Sequence, residues 1–131
     1  MKIFKTIIVT VLFGVTATAS FGAEMPTENR GITSVPLHMQ SLQKQIPVMA
    51  GYVLRSRYVT LAPGGAVKVH SHAERPGFLY VLEGELTEYR GDSVNIVKPG
   101  DSWTESGDTI HGVKNNTDKP AVAIVVDIVK E

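Results

Sequence analysis

Gly64-Gly65-Ala66-Val67-Lys68-Val69-His70-Ser71-His72-Ala73-Glu74-Arg75-Pro76-Gly77-Phe78-Leu79-Tyr80-Val81-Leu82-Glu83-Gly84 is the stretch from which the fold of this chain is read. A glycine pair opens it, a Pro-Gly step divides it and a Glu-Gly step closes it. The two runs between these breaks are rich in β-branched and aromatic residues, which suit a half-buried pleated surface, so both read as strands. Successive side chains of a strand point to opposite faces. His70 and His72 therefore share one face, about 6.5 Å apart along the backbone, where two imidazoles can converge on one ion. For the pair alone, a metal site and an ordinary hydrogen-bonded surface pair are equal alternatives, because imidazole is the commonest metal ligand but such pairs also arise by chance.

The same texture extends downstream. Short runs at 52–61, 66–72, 78–82, 85–90, 93–97, 102–105, 109–115 and 121–130 are separated by Pro63-Gly64-Gly65, Pro76-Gly77, Gly84, Gly91-Asp92, Pro99-Gly100-Asp101, Gly107-Asp108 and Asn116 to Pro120. Short strands at this spacing predict an all-β sandwich, jelly roll or small barrel over 52–131. His111 lies on one of the later runs, and a sheet that closes on itself can bring it to His70 and His72. Upstream, Pro26, Gly31, Pro36 and Pro47 interrupt residues 23–51. That segment reads as an arm wrapping the domain, with at most a short helical turn or an edge strand.

Residues 1–22 have the layout of a cleavable signal peptide: Lys2 and Lys5, an apolar run from Ile7 to Val15, then small residues at Ala17, Ala19, Ser20 and Gly22. Cleavage is expected after Ala19 or Gly22. The apolar run is shorter than the roughly 20 residues that span a bilayer. The expected product is exported, periplasmic or secreted, with no membrane attachment after cleavage. Removing residues 1–22 takes away two lysines and leaves 109 residues with 11 basic and 13 acidic side chains, a formal charge of −2. Such a balance makes nucleic acid an unsuitable partner. The chain has no cysteine, which excludes disulfides, thiolate-bound metals and a thiol nucleophile. Chemistry must come from histidines, carboxylates and hydroxyls.

Taken whole, the stretch from Gly64 to Gly84 resembles the first motif of the cupin superfamily: glycine, five residues, His-x-His, a short loop, then Tyr-Val-Leu-x-Gly. Pro99-Gly100-Asp101-Ser102 followed by Gly107, His111 and Asn115 resembles the second motif, in which a glycine-bearing turn leads to His, three residues, Asn. The resemblance covers residues 64–115. It implies a cupin jelly-roll β-barrel, the double-stranded β-helix, with a divalent metal held by His70, His72 and His111. It further implies a homodimer formed through the outer strands. More narrowly, the chain resembles the small single-domain exported cupins.

The chain departs from the common cupin pattern at one position. Where those proteins carry a glutamate ligand three residues before the tyrosine, this chain has Gly77. Glu74 shares face parity with the histidines but would lie about 13 Å from His70 in an extended strand. It could ligate only if the chain folds back between Glu74 and Gly77. Glu88 and Glu105, on neighbouring strands, are further carboxylates that could face the pocket. Tyr58, Tyr80, Trp103, Arg57 and Arg75 complete the candidate pocket; core packing is the ordinary role of the aromatics. Arg55 and Arg57 share parity, as either an exterior stripe or an anion-binding lip. Three neutral imidazoles leave open metal positions and favour an anionic small-molecule ligand. The ion could be Fe, Mn, Ni, Cu or Zn. The resemblance leaves two functions: a metal-dependent, dioxygenase-like oxidoreductase, or a non-catalytic small-molecule or metal-binding cupin. Asn115-Asn116-Thr117 also matches a glycosylation acceptor.

Overall fold

A computed structural model describes residues 24–131, so the expected signal peptide and its cleavage sites lie outside the described residues. Eight strands dominate: β1 (Arg30–Ser41), β2 (Tyr52–Ser71), β3 (Gly77–Glu83), β4 (Leu86–Arg90), β5 (Ser93–Val97), β6 (Ser102–Glu105), β7 (Ile110–Lys114) and β8 (Ala121–Lys130). The sheet runs in the order β5-β4-β7-β2-β8-β3-β6, with β1 paired to β2, and curls into a nearly closed barrel. The all-β reading holds strand by strand with one difference. Residues 52–61 and 66–72, read as separate strands, belong to one continuous 20-residue strand ending at Ser71.

The reason lies at Gly64-Gly65. Before this corner β2 pairs with β8 from Tyr52 to Leu61, and after it with β7 from Ala66 to Ser71. Gly64 takes φ +69°, and a Cβ on Gly65 would stand 2.8 Å from the Ala62 carbonyl oxygen, so the strand turns the corner only with glycine. Asn115 and the glycine pair exchange backbone hydrogen bonds of 2.9 and 3.0 Å that tie the corner to the end of β7. The middle of the arm is an edge strand, with β1 lying antiparallel along β2, and a 3-10 turn follows at Pro47–Met49.

The barrel interior is filled from alternate positions of β2, β3 and β8, among them Val59, Leu61, Leu79, Val81, Ala123 and Val125. Full burial of each larger aliphatic side chain contributes about 1.5–3 kcal/mol, which makes this register hard to slip. The same alternation overturns the pocket placement of Tyr58 and Tyr80. Each sits one residue from an inward Val59 or Leu79, so each faces outward; both pair opposite Ile124. They are 39% and 41% exposed on the outer surface.

Candidate metal centre

The pairing of β2 with β7 builds the site. His70 stands directly opposite His111, and one extra residue in β2 between Val67 and His70 forms a bulge that re-aims the strand end. His72 follows β2, held by a 2.9 Å bond from its backbone N–H to the Thr109 carbonyl. The Nε2 atoms of His70 and His72 are 3.0 Å apart, and those of His72 and His111 are 3.1 Å apart. His72 and His111 are buried, and His70 is half-buried.

What lies behind each ring fixes its tautomer. Nδ1–H of His70 donates to the Lys68 carbonyl at 2.8 Å, that of His72 to the Arg75 carbonyl at 3.2 Å, and that of His111 to Oε1 of Glu88 at 2.7 Å. With Nδ1 the donor, each Nε2 carries a bare lone pair. Three converging lone pairs repel unless a cation lies among them. Donors about 2.1 Å from one ion and at right angles to each other stand about 3.0 Å apart, so the His70–His72 and His72–His111 spacings each fit neighbouring positions on one octahedral ion, and all three histidines offer ligand atoms within 4.8 Å of one another. Burial is the largest influence on His70 and His72 and holds both below the usual imidazole pKa, which keeps them neutral and able to ligate.

The other predicted residues fall into distinct places. Trp103 lies edge-on to His111, with ring centres 5.9 Å apart, and its Nε1–H donates to Oε1 of Glu105 at 3.1 Å. Glu105, Arg75, Arg57 and Trp103 line a cavity of about 290 Å³ that also contains the three histidines. Glu88 is buried behind His111 rather than in the cavity, and it also accepts hydrogen bonds from Arg90 and Asn95. Burial, the largest influence, would raise its pKa, but the bonds from His111 and Arg90 hold it below the usual carboxylate range. Glu74 does not join the histidines. The chain reverses in a turn closed by Arg75 N–H to His72 O, with Glu74 at φ +61°, and this leaves its carboxylate exposed and returns Arg75 to the cavity.

Arg55 and Arg57 form neither a stripe nor a simple lip. Both reach Asp127, Arg55 through a bidentate pair at 3.0 and 2.8 Å and Arg57 at 3.0 Å. Asp127 is 1% exposed and was missed in the sequence reading. Its signal was present: it is the one acid within the apolar run from Ala121 to Val129, and a buried charge requires a partner. Lys68 and Asn29 also line the cavity. Asn29 Oδ1 accepts from Lys68 N–H at 2.8 Å and the Pro26 carbonyl from Val69 N–H at 2.9 Å, so the segment before β1 satisfies the donors at the bulge. Asn115 is fully buried, donates to the Leu61 and Lys119 carbonyls and accepts from Thr117; the folded chain offers no glycosylation acceptor there.

A curled antiparallel barrel with three histidines gathered at its cavity defines a cupin. The family model for the cupin domain, Cupin_2, matches residues 57–127, and the chain belongs to that family. Among solved structures it is similar to TT1209 of Thermus thermophilus, at 27% identity over 73% of this chain and 81% of that one, with a TM-score of 0.59. It is also similar to a predicted oxalate decarboxylase of Thermotoga maritima, at 18% identity over 82% and 96% of the two chains, TM-score 0.61. A third similar structure is a recombinant oxalate oxidase in complex with glycolate, at 21% identity over 76% and 55%, TM-score 0.56. No curated protein matches the sequence.

Proposed function

We propose that the protein is an exported cupin whose His70, His72 and His111 hold a divalent metal, and that it acts as a dioxygenase-like oxidoreductase on a small anionic substrate. The single observation that carries this reading is the convergence of three bare Nε2 lone pairs at a cavity edged by Lys68, Arg57 and Arg75. When bound, a divalent ion supplies a Lewis acid with open positions for a substrate oxygen. The chain supplies the rest. Arg75 and Lys68 attract and orient an anion, and the apolar walls formed by Val59, Leu61, Leu79 and Val125 exclude water from it. Glu88 holds the His111 ring. The cavity volume lies at the low end for small-molecule sites, which favours a compact substrate. Two proteins of similar fold are named for oxalate, one of them in complex with glycolate, and small carboxylates are the first substrates to try.

Gly77, in place of the usual glutamate, favours a second reading in which the barrel binds a small molecule or an ion without turnover. The exposed outer face around Tyr58, Phe78 and Tyr80 supports a homodimer. The test is elemental analysis of residues 23–131 purified without chelator, beside the His70→Ala/His72→Ala double variant, followed by oxygen uptake with oxalate, glycolate and related acids. Near-stoichiometric metal lost in the variant, with metal-dependent oxygen uptake, supports the enzyme. Metal without turnover moves the assignment to binding, and no metal in the wild-type protein overturns the site.

A further inference from the structure

Four strands present one inward-facing row: Arg55 of β2 pairs opposite Asp127 of β8, Asp127 opposite Gly77 of β3, and Gly77 opposite Glu105 of β6. Gly77 contributes no side chain to that row. Glu105 is 5% exposed and lines the cavity. Its Oε1 is held by Trp103, while its Oε2 is buried without a hydrogen-bond partner among the described residues. That orphaned oxygen lies 3.2 Å from Nδ1 of His72, whose proton is directed at the Arg75 carbonyl, and Oε1 lies 3.9 Å from Nε2 of His111. A buried carboxylate held by one donor alone is costly unless a cation beside it offsets the charge of the group as a whole.

We infer that Glu105 is a fourth protein ligand to the metal of the three-histidine site, entering from β6 across the gap left by Gly77. Neighbouring ligands of one ion stand about 3.0 Å apart, so Oε1 needs about 1 Å of approach to reach ligand distance. Rotation about the terminal torsion of a glutamate, which is broad, covers that distance. Trp103 steers the carboxylate by holding the same oxygen, and its ring packs against His111, so one side chain aligns two ligands. The fourth ligand supplies the negative charge that three neutral imidazoles lack. It leaves two positions of an octahedral ion for a bidentate small anion.

This assignment rests on the metal reading proposed above, and the test separates the two. Wild-type, Glu105→Gln and Glu88→Gln proteins are titrated with Co(II) alone, recording the dissociation constant and the visible d–d spectrum. Glutamine keeps the acceptor for Trp103 and removes the ligating charge. The expected result is at least a tenfold loss of affinity in Glu105→Gln with a changed d–d spectrum, whereas Glu88→Gln weakens binding and leaves the spectrum of the bound ion unchanged. Because Glu105→Gln could also disturb folding, a crystal structure of the Co(II)-loaded wild-type protein is the second measurement; a Glu105 oxygen about 2.0–2.2 Å from the ion supports the assignment. A Glu105→Gln spectrum that superimposes on wild type, or a water where the carboxylate should be, overturns this assignment alone. Absence of Co(II) binding by the wild-type protein overturns the metal reading and this assignment together.

Discussion

Nδ1 of His111 donates a 2.7 Å hydrogen bond to Oε1 of Glu88, a carboxylate buried on the adjacent strand. This bond sets the tautomer and the ring plane of the most buried of the three histidines. Carboxylates in this position raise the basicity of a metal-bound imidazole, and their loss costs 10–100-fold in metal affinity. Glu88→Gln is expected to weaken metal binding by about that factor while leaving the site able to fill at high metal concentration. Competition with a chelator of known affinity measures it.

His111→Ala removes one of three nitrogens, and with it the bridge between β7 and the end of β2 at the site. Metal content after gel filtration is expected to fall below about a tenth of the wild-type value, with any turnover lost in parallel. Retention of stoichiometric metal would show that His111 is not a ligand.

Asp127 anchors Arg55 and Arg57 from inside the barrel. Burial, the largest influence, opposes its ionisation, but the Arg55 hydrogen bonds and both guanidinium charges prevail and hold its pKa below the usual carboxylate range. A carboxylate whose pKa is lower in the folded than in the unfolded chain stabilises the fold above its unfolded value, and that contribution disappears as pH falls through the folded value. Asp127→Asn should cost about 2–4 kcal/mol at neutral pH, at the low end for a broken buried pair because the arginines are part-exposed. Urea unfolding should show the gap between variant and wild type intact at pH about 6 and closing below about 4.

Restoring a glutamate by Gly77→Glu should not strengthen the site. A Cβ there would lie 2.5 Å from the Val126 carbonyl oxygen and 2.9 Å from the Asp127 Cβ. The new carboxylate would also stand between Asp127 and Glu105, and like charges directly opposite destabilise a sheet. A loss of about 1–3 kcal/mol from overpacking is expected, read as a lower midpoint in denaturant.

On the outer face, Phe78 and Tyr80 alternate with the buried Leu79 and are 44% and 41% exposed. If this surface joins two copies, Phe78→Arg/Tyr80→Arg should shift sedimentation from dimer to monomer with little change in metal affinity. A monomeric wild-type protein would refute the dimer.

Much of the barrel was legible because strand positions are written locally. Gly91-Asp92 and Pro99-Gly100-Asp101 end strands where their backbone chemistry requires it, and β5, β6 and β8 have the same limits in the fold as in the sequence reading. The Gly64-Gly65 corner was read as an end because glycine pairs usually punctuate; here the chain crosses it and changes partners, which depends on β7 and β8 lying where they do. His70 and His72 share a face by parity alone. Their meeting with His111 needed a register, and the bulge before His70 alters that register by one residue.

The sequence by itself determined an all-β cupin barrel and named the three histidines, because turn chemistry, period-two alternation and motif spacing are properties of neighbours along the chain. Tertiary structure alone decided what each charged or aromatic residue does. It turned Tyr58 and Tyr80 outward, Glu74 away from the three histidines, Glu88 behind His111 and Arg55 toward Asp127. Those roles depend on which strand lies across the sheet and on whether a turn or bulge flips parity, and both are set by packing between residues up to 72 positions apart.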